Sequence, residues 1–307
     1  MRFGIDLGGT KIEIAALTPD GAIAHRERVQ TPRDQYDNTI RTIRDLVLAA
    51  ESKLGIKGSL GVGTPGALSL KTGLIKNANN TDLIGHPLDK DLAKELGRAV
   101  RVANDANCFT LSEASDGAGA QGHVVFGIIA GTGVGGGITV DKTVINGAHA
   151  ITGEWGHNPL PAAGPDEKLT GPKCYCGKAS CIETWCSGPA FEREYKTASG
   201  NALGAANIVA LADKGDAVAQ KVLSQLIDRF ARSIASVVNI LDPDAIVIGG
   251  GMSNIDAFYR QLPDLVAQYA FTTEGPVNVL KNMHGDSSGV RGAAWLWQEG
   301  DKAGLPP

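Results

Sequence analysis

Three of the chain's five cysteines stand within eight residues, in the segment CYCGKASCIE that ends at Glu183. Thiols this close together could hold a metal ion or form a disulfide bond. Five is an odd number, which a disulfide framework rarely has. A structural zinc ion takes four protein ligands in a tetrahedron, and Cys174, Cys176 and Cys181 could supply three of them. The sequence therefore favours zinc over a redox cluster.

A loop before the cysteines carries a histidine that could complete this set. The segment TGEWGHNPL holds Glu154 and His157 three residues apart, among glycine, tryptophan and proline. Both side chains can therefore point from one loop to the same spot. Although a lone histidine is usually an ordinary surface or core residue, we predict His157 as the fourth zinc ligand. Cys108 and Cys186 lie on apolar, helix-like stretches, and we interpret them as small buried hydrophobic residues.

Three glycine-rich turns follow apolar, strand-like runs. Because glycine has no Cβ, such turns bring backbone amides close to an anion. One turn alone could be a plain hairpin, but three at strand ends indicate one nucleotide, with its phosphates on two turns and its adenosine beside the third. The residues are Asp6, Gly8, Gly9, Thr10 and Lys11 in the first turn, Gly131, Thr132 and Gly133 in the second, and Gly249, Gly250 and Gly251 in the third.

Neither common nucleotide fingerprint is met. The Walker A spacing is missing, and GTGVGG, from Gly131, has the letters of the dinucleotide motif but leads into a strand. This context disfavours NAD. Asp6 closes an apolar run, where an unpaired buried carboxylate is costly. Its position suits a water-mediated contact to Mg²⁺.

Asn104 and Asp105 close the strand-like run VRVAN and begin a helix-like segment. The carboxyl ends of strands are where α/β sheets place functional groups. Asp105 could cap the helix, or it could accept a proton from a substrate hydroxyl that Asn104 hydrogen-bonds. Local sequence leaves both interpretations open.

Strand and helix patterns alternate along the chain. Apolar residues at helical spacing predict a helix that ends before Gly55, and a long helix spans Val218 to Val238. The runs RFGIDLGG and VFGIIAGT align when Gly4 is set beside Gly127. This alignment predicts an internal duplication into two similar α/β halves.

The composition is ordinary for a globular protein. The 307 residues are 43% hydrophobic and 20% charged, with a formal net charge of -4. No block of charge indicates a nucleic-acid or membrane partner. The start has no signal-peptide pattern, and no apolar stretch reaches the ~18 residues of a spanning helix. We expect a cytoplasmic protein.

Several motifs, in order over nearly the whole chain, resemble the ROK family of bacterial sugar kinases. They are DLGGTK, GTPGAL, NDANCFTLSEA, GTGVGGG, GEWGH and CYCGKASCIE. Two further segments, EWGHNPLP and HGDSSGVRGAAWLW, are most similar to the bacterial fructokinases. One departure is visible: Ser180 stands where the family pattern CxCGxxGCxE has its second glycine. If this position needs a left-handed backbone, serine costs about 1 kcal/mol there.

The resemblance implies an α/β, actin-like ATPase fold of two duplicated ribonuclease-H-like domains with a cleft between them. The first domain would comprise residues 1–118 and 288–307, with the first phosphate loop and the catalytic aspartate. The second would comprise residues 119–287, with the second phosphate loop, the zinc site and the adenosine loop. The resemblance also implies ATP, Mg²⁺, structural Zn²⁺ and a homodimer.

The implied reaction is phosphorylation of a hexose by ATP, with Asp105 as the catalytic base. Fructose is the expected substrate, giving fructose 6-phosphate, with mannose or glucose as further substrates. Around the sugar the resemblance places Gly66, Asn79, Asn104, Asp105, Glu154, His157 and Glu183. Zinc, held by His157 and the three cysteines, would join Glu154 and Glu183 into one wall of the sugar pocket. The second ring nitrogen of His157 would meet a sugar hydroxyl.

Other functions fit parts of the sequence. An N-acetylglucosamine kinase or a glucokinase of the same family is the main alternative. A ROK-type repressor would need a helix-turn-helix before the first phosphate strand, where none is expected. A zinc hydrolase would need an open coordination position, which four protein ligands fill. A carbohydrate-binding module would need neither Asp105 nor three glycine turns.

Overall fold

The structure is a computed structural model that describes residues 1–32, 35–78, 81–164, 167, 171–298 and 300–301. Within these residues the strands are β1 (Arg2–Leu7), β2 (Lys11–Leu17), β3 (Ile23–Gln30), β4 (Ser59–Thr64), β5 (Ala67–Leu68), β6 (Ile75–Lys76), β7 (Val100–Asn104), β8 (Val124–Ala130), β9 (Val134–Val140), β10 (Thr143–Val144), β11 (Ala245–Gly249) and β12 (Val279–Lys281). The α/β class is confirmed.

The described residues also form nine α-helices. They are α1 (Tyr36–Leu54), α2 (Leu88–Leu96), α3 (Asp105–Asp116), α4 (Glu183–Cys186), α5 (Gly188–Ser199), α6 (Ala205–Asp213), α7 (Ala217–Leu241), α8 (Asp256–Tyr269) and α9 (Ser288–Trp295). Short 3-10 helices cover Thr81–Leu83, Trp155–His157, Gly251–Asn254 and Gly285–Ser287.

The chain divides into two compact units. Unit 1 comprises Met1–Ala120, Lys142–Thr152 and Asp286–Pro307, and unit 2 comprises Gln121–Asp141 and Gly153–Gly285. The domain boundaries derived from the family resemblance stay a prediction.

Unit 1 contains a sheet of five strands in the order β3-β2-β1-β4-β7. Strands β1, β2 and β3 form an antiparallel meander, whereas β4 and β7 continue the sheet in parallel to β1. Parallel neighbours need crossover connections, and α1 and α2 supply helices for them. The carboxyl ends of β1, β4 and β7 therefore lie at the same edge of the sheet.

Unit 2 repeats this topology. Its strands follow the order β9-β8-β11-β12, with β8 antiparallel to β9 and parallel to β11. The pairing Phe126↔Ile138 corresponds to Phe3↔Ala16 in unit 1, so each unit opens with the same strand–turn–strand element. The predicted duplication is confirmed.

Local sequence signals explain how the main helices end. Helix α1 stops at Gly55, which adopts a left-handed φ of 66° and donates its amide to Ser52. Helix α7 covers the predicted apolar series, and Asp216 caps its first turn by accepting from Ala219. Both predicted helices are confirmed. Among the described residues, no helix is long and apolar enough to cross a membrane.

Candidate active site and metal centre

Asp105 lies at the end of β7, where the strand turns into α3. Asn104 is the N-cap of this helix, and its side-chain oxygen accepts from the Ala106 amide at 2.9 Å. The Oδ1 atom of Asp105 accepts from the same amide at 2.8 Å. Because Asn104 already satisfies the N-terminus of the helix, capping alone does not require a carboxylate at residue 105.

Asn104 also joins this strand end to the loop after β4. Its Nδ2 atom donates to the Gly66 carbonyl oxygen at 3.0 Å. Gly66 has a φ of 78°, and a Cβ there would lie 2.4 Å from the Lys76 carbonyl oxygen. Both the backbone conformation and the space therefore require glycine. The structure thus brings together Gly66, Asn104 and Asp105 from the predicted sugar set, whereas Asn79 lies outside the described residues.

Asp6 is the penultimate residue of β1 and pairs with Glu13 of β2, so both side chains lie on the same face of the sheet. Burial, together with the negative charges of Asp105 and Glu13, raises the pKa of Asp6 to about 6. Arg26 and Arg28 of β3 both bind the buried Glu13 carboxylate. Asp6 and Asp105 therefore act on each other as like charges, an arrangement that a divalent cation would relieve.

The first and third glycine turns contain glycines that the chain itself does not require. Among the residues that the structure describes, a Cβ at Gly9 or at Gly251 would meet no atom within 4 Å, and neither residue has a left-handed φ. Gly250 differs, because its φ is 78° and a Cβ there would lie 2.4 Å from the Ala130 carbonyl oxygen. The open space beside Gly9 and Gly251 leaves room for a ligand against the backbone.

The second glycine turn contacts the segment that follows the cysteines. The Gly131 carbonyl oxygen accepts from the Gly188 amide at 2.8 Å. The Oε2 atom of Glu183 accepts from the Val134 amide at 3.0 Å, and a Cβ at Gly133 would lie 2.5 Å from that oxygen. The family resemblance implies for Glu183 only a place beside the sugar. This contact with the turn is a finding of the structure.

The four predicted metal ligands converge. The Nδ1 atom of His157 lies 3.5 Å from the Cys174 sulfur, and the Cys176 and Cys181 sulfurs are 3.7 Å apart. One ligand atom from each residue lies within 4.8 Å of the other three. Zinc bonds of roughly 2.0 to 2.3 Å in a tetrahedron give ligand separations of about 3.5 to 3.8 Å. The donor set therefore fits a structural zinc ion.

The alternative of a disulfide does not match this geometry. All five cysteines are free, and the sulfur separation of 3.7 Å far exceeds a bond of about 2 Å. Burial raises the pKa of Cys181 to about 12, so zinc would bind with release of its proton. Cys108 and Cys186 are fully buried, as predicted.

Ser180 shapes the loop that carries the cysteines. Its φ is 60°, which confirms that the position needs the left-handed backbone usually given to glycine. The Ser180 hydroxyl oxygen accepts from the Trp185 ring nitrogen at 3.0 Å. This buried hydrogen bond offsets part of the backbone strain.

The second ring nitrogen of His157 has a neighbour that sequence reasoning missed. The Tyr175 hydroxyl lies 3.0 Å from Nε2, and a Glu154 carboxylate oxygen lies 3.9 Å from the same atom. Although Tyr175 is aromatic, it is 77% exposed. Tyr175 stands between two of the predicted metal ligands in CYCG, and this position was the sequence feature that could have placed its side chain near the cluster. Glu154 and His157 thus share one spot, as predicted from the loop.

Comparisons with known proteins match this chain over nearly all of its length. The model of the ROK family matches residues 2–300. An N-acetyl-D-glucosamine kinase of Escherichia coli O139:H28 is 40% identical over 301 residues, covering 96% of this chain and 99% of the relative. The predicted fructokinase specificity is not supported by this relative.

Solved structures show the same fold. A ROK hexokinase from Thermus thermophilus is 28% identical with a TM-score of 0.84, covering 96% of this chain and 97% of that one. A ROK glucokinase from Streptomyces griseus, solved with glucose and AMPPNP, is 26% identical with a TM-score of 0.75, covering 95% and 97%. These neighbours confirm the actin-like ATPase fold. The chain therefore belongs to the ROK family, and it is a sugar kinase.

Proposed function

We propose that this kinase phosphorylates N-acetyl-D-glucosamine. The observation that carries the proposal is the 40% identity to an N-acetyl-D-glucosamine kinase over 96% of the chain. The overall identity to this relative exceeds the 28% identity to the solved hexokinase. The sugar would lie against Asn104, Asp105, Glu154, His157 and Glu183, with Gly66 and Asn79 beside them.

Asp105 would act as the general base of the transfer. Its carboxylate accepts the proton of the attacking sugar hydroxyl, while the hydroxyl oxygen bonds to the γ-phosphorus of ATP and ADP leaves. Asn104 donates to Gly66, which orients the strand end that carries the base. Mg²⁺ would neutralise charge on the phosphates, and Asp6 would hold the ion through water.

The nucleotide would bind to the three glycine turns. Gly9 and Gly251 support this role, because neither packing nor backbone conformation of the chain requires glycine there. A phosphate or an adenosine lying against the backbone would require it. The other proposed contacts come from Gly8, Thr10, Lys11, Gly131, Thr132, Gly133, Gly249 and Gly250.

Zinc would be structural and remote from the transferred phosphoryl group. Four protein ligands fill a tetrahedral shell, so no open position is left for a water nucleophile. The ion would fix the loop of Glu154 against the loop of Glu183. Dimer formation stays a prediction.

An ATP-coupled assay over a panel of sugars tests the proposal. We expect kcat/KM for N-acetyl-D-glucosamine to exceed that for glucose, mannose and fructose by about tenfold or more, because loss of one buried polar contact costs roughly 1–3 kcal/mol. If fructose had the highest kcat/KM of the panel, the fructokinase hypothesis would be restored. Glucose is the second candidate, because the Streptomyces griseus glucokinase was solved with it.

The raised pKa of Asp6 predicts a pH-dependent need for Mg²⁺. A carboxyl with a pKa of about 6 is ionised above that pH and protonated below it. The Mg²⁺ concentration for half-maximal rate should therefore rise as the pH falls through 6. ATP phosphates also take up a proton in this range. The Asp6→Asn variant therefore measures the part of the pH dependence that does not come from Asp6. Parallel pH profiles for both proteins would contradict a role of Asp6 in binding Mg²⁺.

The contact of Tyr175 with His157 predicts an effect on sugar affinity. A sugar hydroxyl that reaches Nε2 must displace the Tyr175 hydroxyl, which lies 3.0 Å away. Such a hydrogen bond contributes about 0.5–1.5 kcal/mol, so Tyr175→Phe should lower the sugar KM roughly two- to tenfold. The control is Tyr269→Phe, which removes an exposed tyrosine hydroxyl that binds Asp228 instead. An unchanged or higher sugar KM in Tyr175→Phe would show that no displacement occurs.

A further inference from the structure

We infer that Glu183 is a positioning residue for the nucleotide, because it holds the turn Gly131–Val134 in shape. The inference rests on the proposed role of that turn in binding phosphates. It adds a second role to a residue that the family resemblance places only beside the sugar. All groups concerned lie in unit 2.

The two carboxylate oxygens of Glu183 face different partners. Oε2 accepts from the Val134 amide at 3.0 Å, at the point where the turn enters β9. Oε1 lies 3.8 Å from the Cys174 sulfur. A single half-buried side chain thus connects the glycine turn with the cysteine loop.

Backbone hydrogen bonds also support the turn. Inside it, the Gly131 amide donates to the Gly133 carbonyl oxygen at 2.9 Å. Outside it, the Gly188 amide donates to the Gly131 carbonyl oxygen at 2.8 Å. Val134 is buried, so its amide would lack an acceptor if the Glu183 oxygen were removed. A buried amide without a partner favours rearrangement of the turn.

The geometry gives Gly133 a reason to be glycine that involves Glu183. A Cβ at Gly133 would lie 2.5 Å from Oε2 and 3.5 Å from the carboxyl carbon, and it would meet no other atom within 4 Å. The carboxylate therefore occupies the space beside the turn. Glycine at this position therefore leaves room for the carboxylate.

Three substitutions of Glu183 separate the effect of the position of its side-chain oxygen from the effect of its negative charge. Glu183→Gln keeps an oxygen at the same distance from the Val134 amide but loses the negative charge. Glu183→Asp keeps the charge but withdraws the oxygen by one methylene. Glu183→Ala removes both. The readout is the Kd of Mg-ADP, measured by calorimetry without sugar, so that sugar contacts of Glu183 do not enter.

We expect the Kd of Mg-ADP to rise about 5- to 50-fold in Glu183→Ala and about fivefold in Glu183→Asp. In Glu183→Gln it should stay within about twofold of the wild type. The matched control is Glu192→Ala, because the Glu192 carboxylate likewise accepts from a backbone amide, that of Ala205, at 2.9 Å. This control should bind Mg-ADP like the wild type.

Thermal unfolding without ligand tests the contact itself. Gly133→Ala should lower the Tm of the wild type, because its Cβ meets the carboxylate, and should lower it much less in Glu183→Ala. Equal decreases in both backgrounds would contradict the contact.

Three outcomes would overturn the inference. The first is wild-type affinity for Mg-ADP in folded Glu183→Ala, and the second is loss of Mg-ADP binding in Glu183→Gln while Glu183→Asp keeps it. The third is a loss of Mg-ADP binding in Glu192→Ala as large as that in Glu183→Ala. Glu183→Gln and Glu183→Asp keep a polar side chain, so they remain informative if Glu183→Ala does not fold. If the wild type bound Mg-ADP yet phosphorylated no sugar, the proposed function would fail while this inference stood.

Discussion

Replacing Asp105 by asparagine is expected to lower kcat by about 10²- to 10⁴-fold, the usual contribution of a general base. The variant keeps an oxygen that can accept from the Ala106 amide, as Oδ1 of Asp105 does at 2.8 Å. The start of α3 should therefore survive, and the Tm should stay close to that of the wild type. Some activity should remain, because the phosphoryl transition state needs mainly positioning and charge neutralisation.

Steady-state kinetics at saturating sugar and ATP measure this effect. The matched control is Asp37→Asn, which changes an acidic residue in the first turn of another helix, α1. We expect this control to retain full activity. A kcat of Asp105→Asn close to that of the wild type would remove Asp105 from the chemical step.

Removal of zinc should have the second large effect. We expect about one zinc ion per chain, held by His157, Cys174, Cys176 and Cys181, whose ligand atoms lie within 4.8 Å of one another. Zinc binding is worth roughly 10–16 kcal/mol in small structural sites, so its loss should disorder both loops. A strong chelator, or Cys176→Ser, should then weaken sugar binding by at least about tenfold. Because Glu183 also contacts the second glycine turn, nucleotide binding should weaken by a smaller factor.

Metal analysis and direct binding of each ligand test this prediction. Cys186→Ala, which removes a buried thiol outside the cluster, should keep its zinc and serves as the control. A purified protein without zinc that lost sugar binding only on reduction would contradict the metal site. Equal loss of sugar and nucleotide binding would mean that zinc supports unit 2 as a whole.

The sequence predicted the features that rest on local pattern or on close spacing. The duplication was visible because Gly4 and Gly127 stand in matching strand–turn–strand segments, and the structure pairs their strands in the same way. The left-handed conformation of Ser180 could be suspected because its position carries glycine in the family pattern. The metal cluster followed from ligand type and number, since a tetrahedral site needs four donors.

Contacts between distant segments left no such pattern. Glu183 and Val134 are 49 residues apart, and the donor to the Glu183 oxygen is a backbone amide, which any residue except proline carries. The position of Tyr175 over Nε2 of His157 depends on how the loop folds around the cluster. The relative at 40% identity does not support fructose, the sugar predicted from the sequence, and the reason is related: motifs such as GEWGH and CYCG belong to the candidate metal site and the fold. Which sugar substituents fit depends on loop geometry instead.

A phosphorus NMR time course of the wild-type protein with ATP, Mg²⁺ and N-acetyl-D-glucosamine tests the central claim most directly. The account predicts a new phosphomonoester signal that grows in step with ADP, with no matching growth of inorganic phosphate, and no reaction when the sugar is omitted. Inorganic phosphate as the main product, or intact ATP in the presence of the sugar, would contradict phosphoryl transfer to N-acetyl-D-glucosamine.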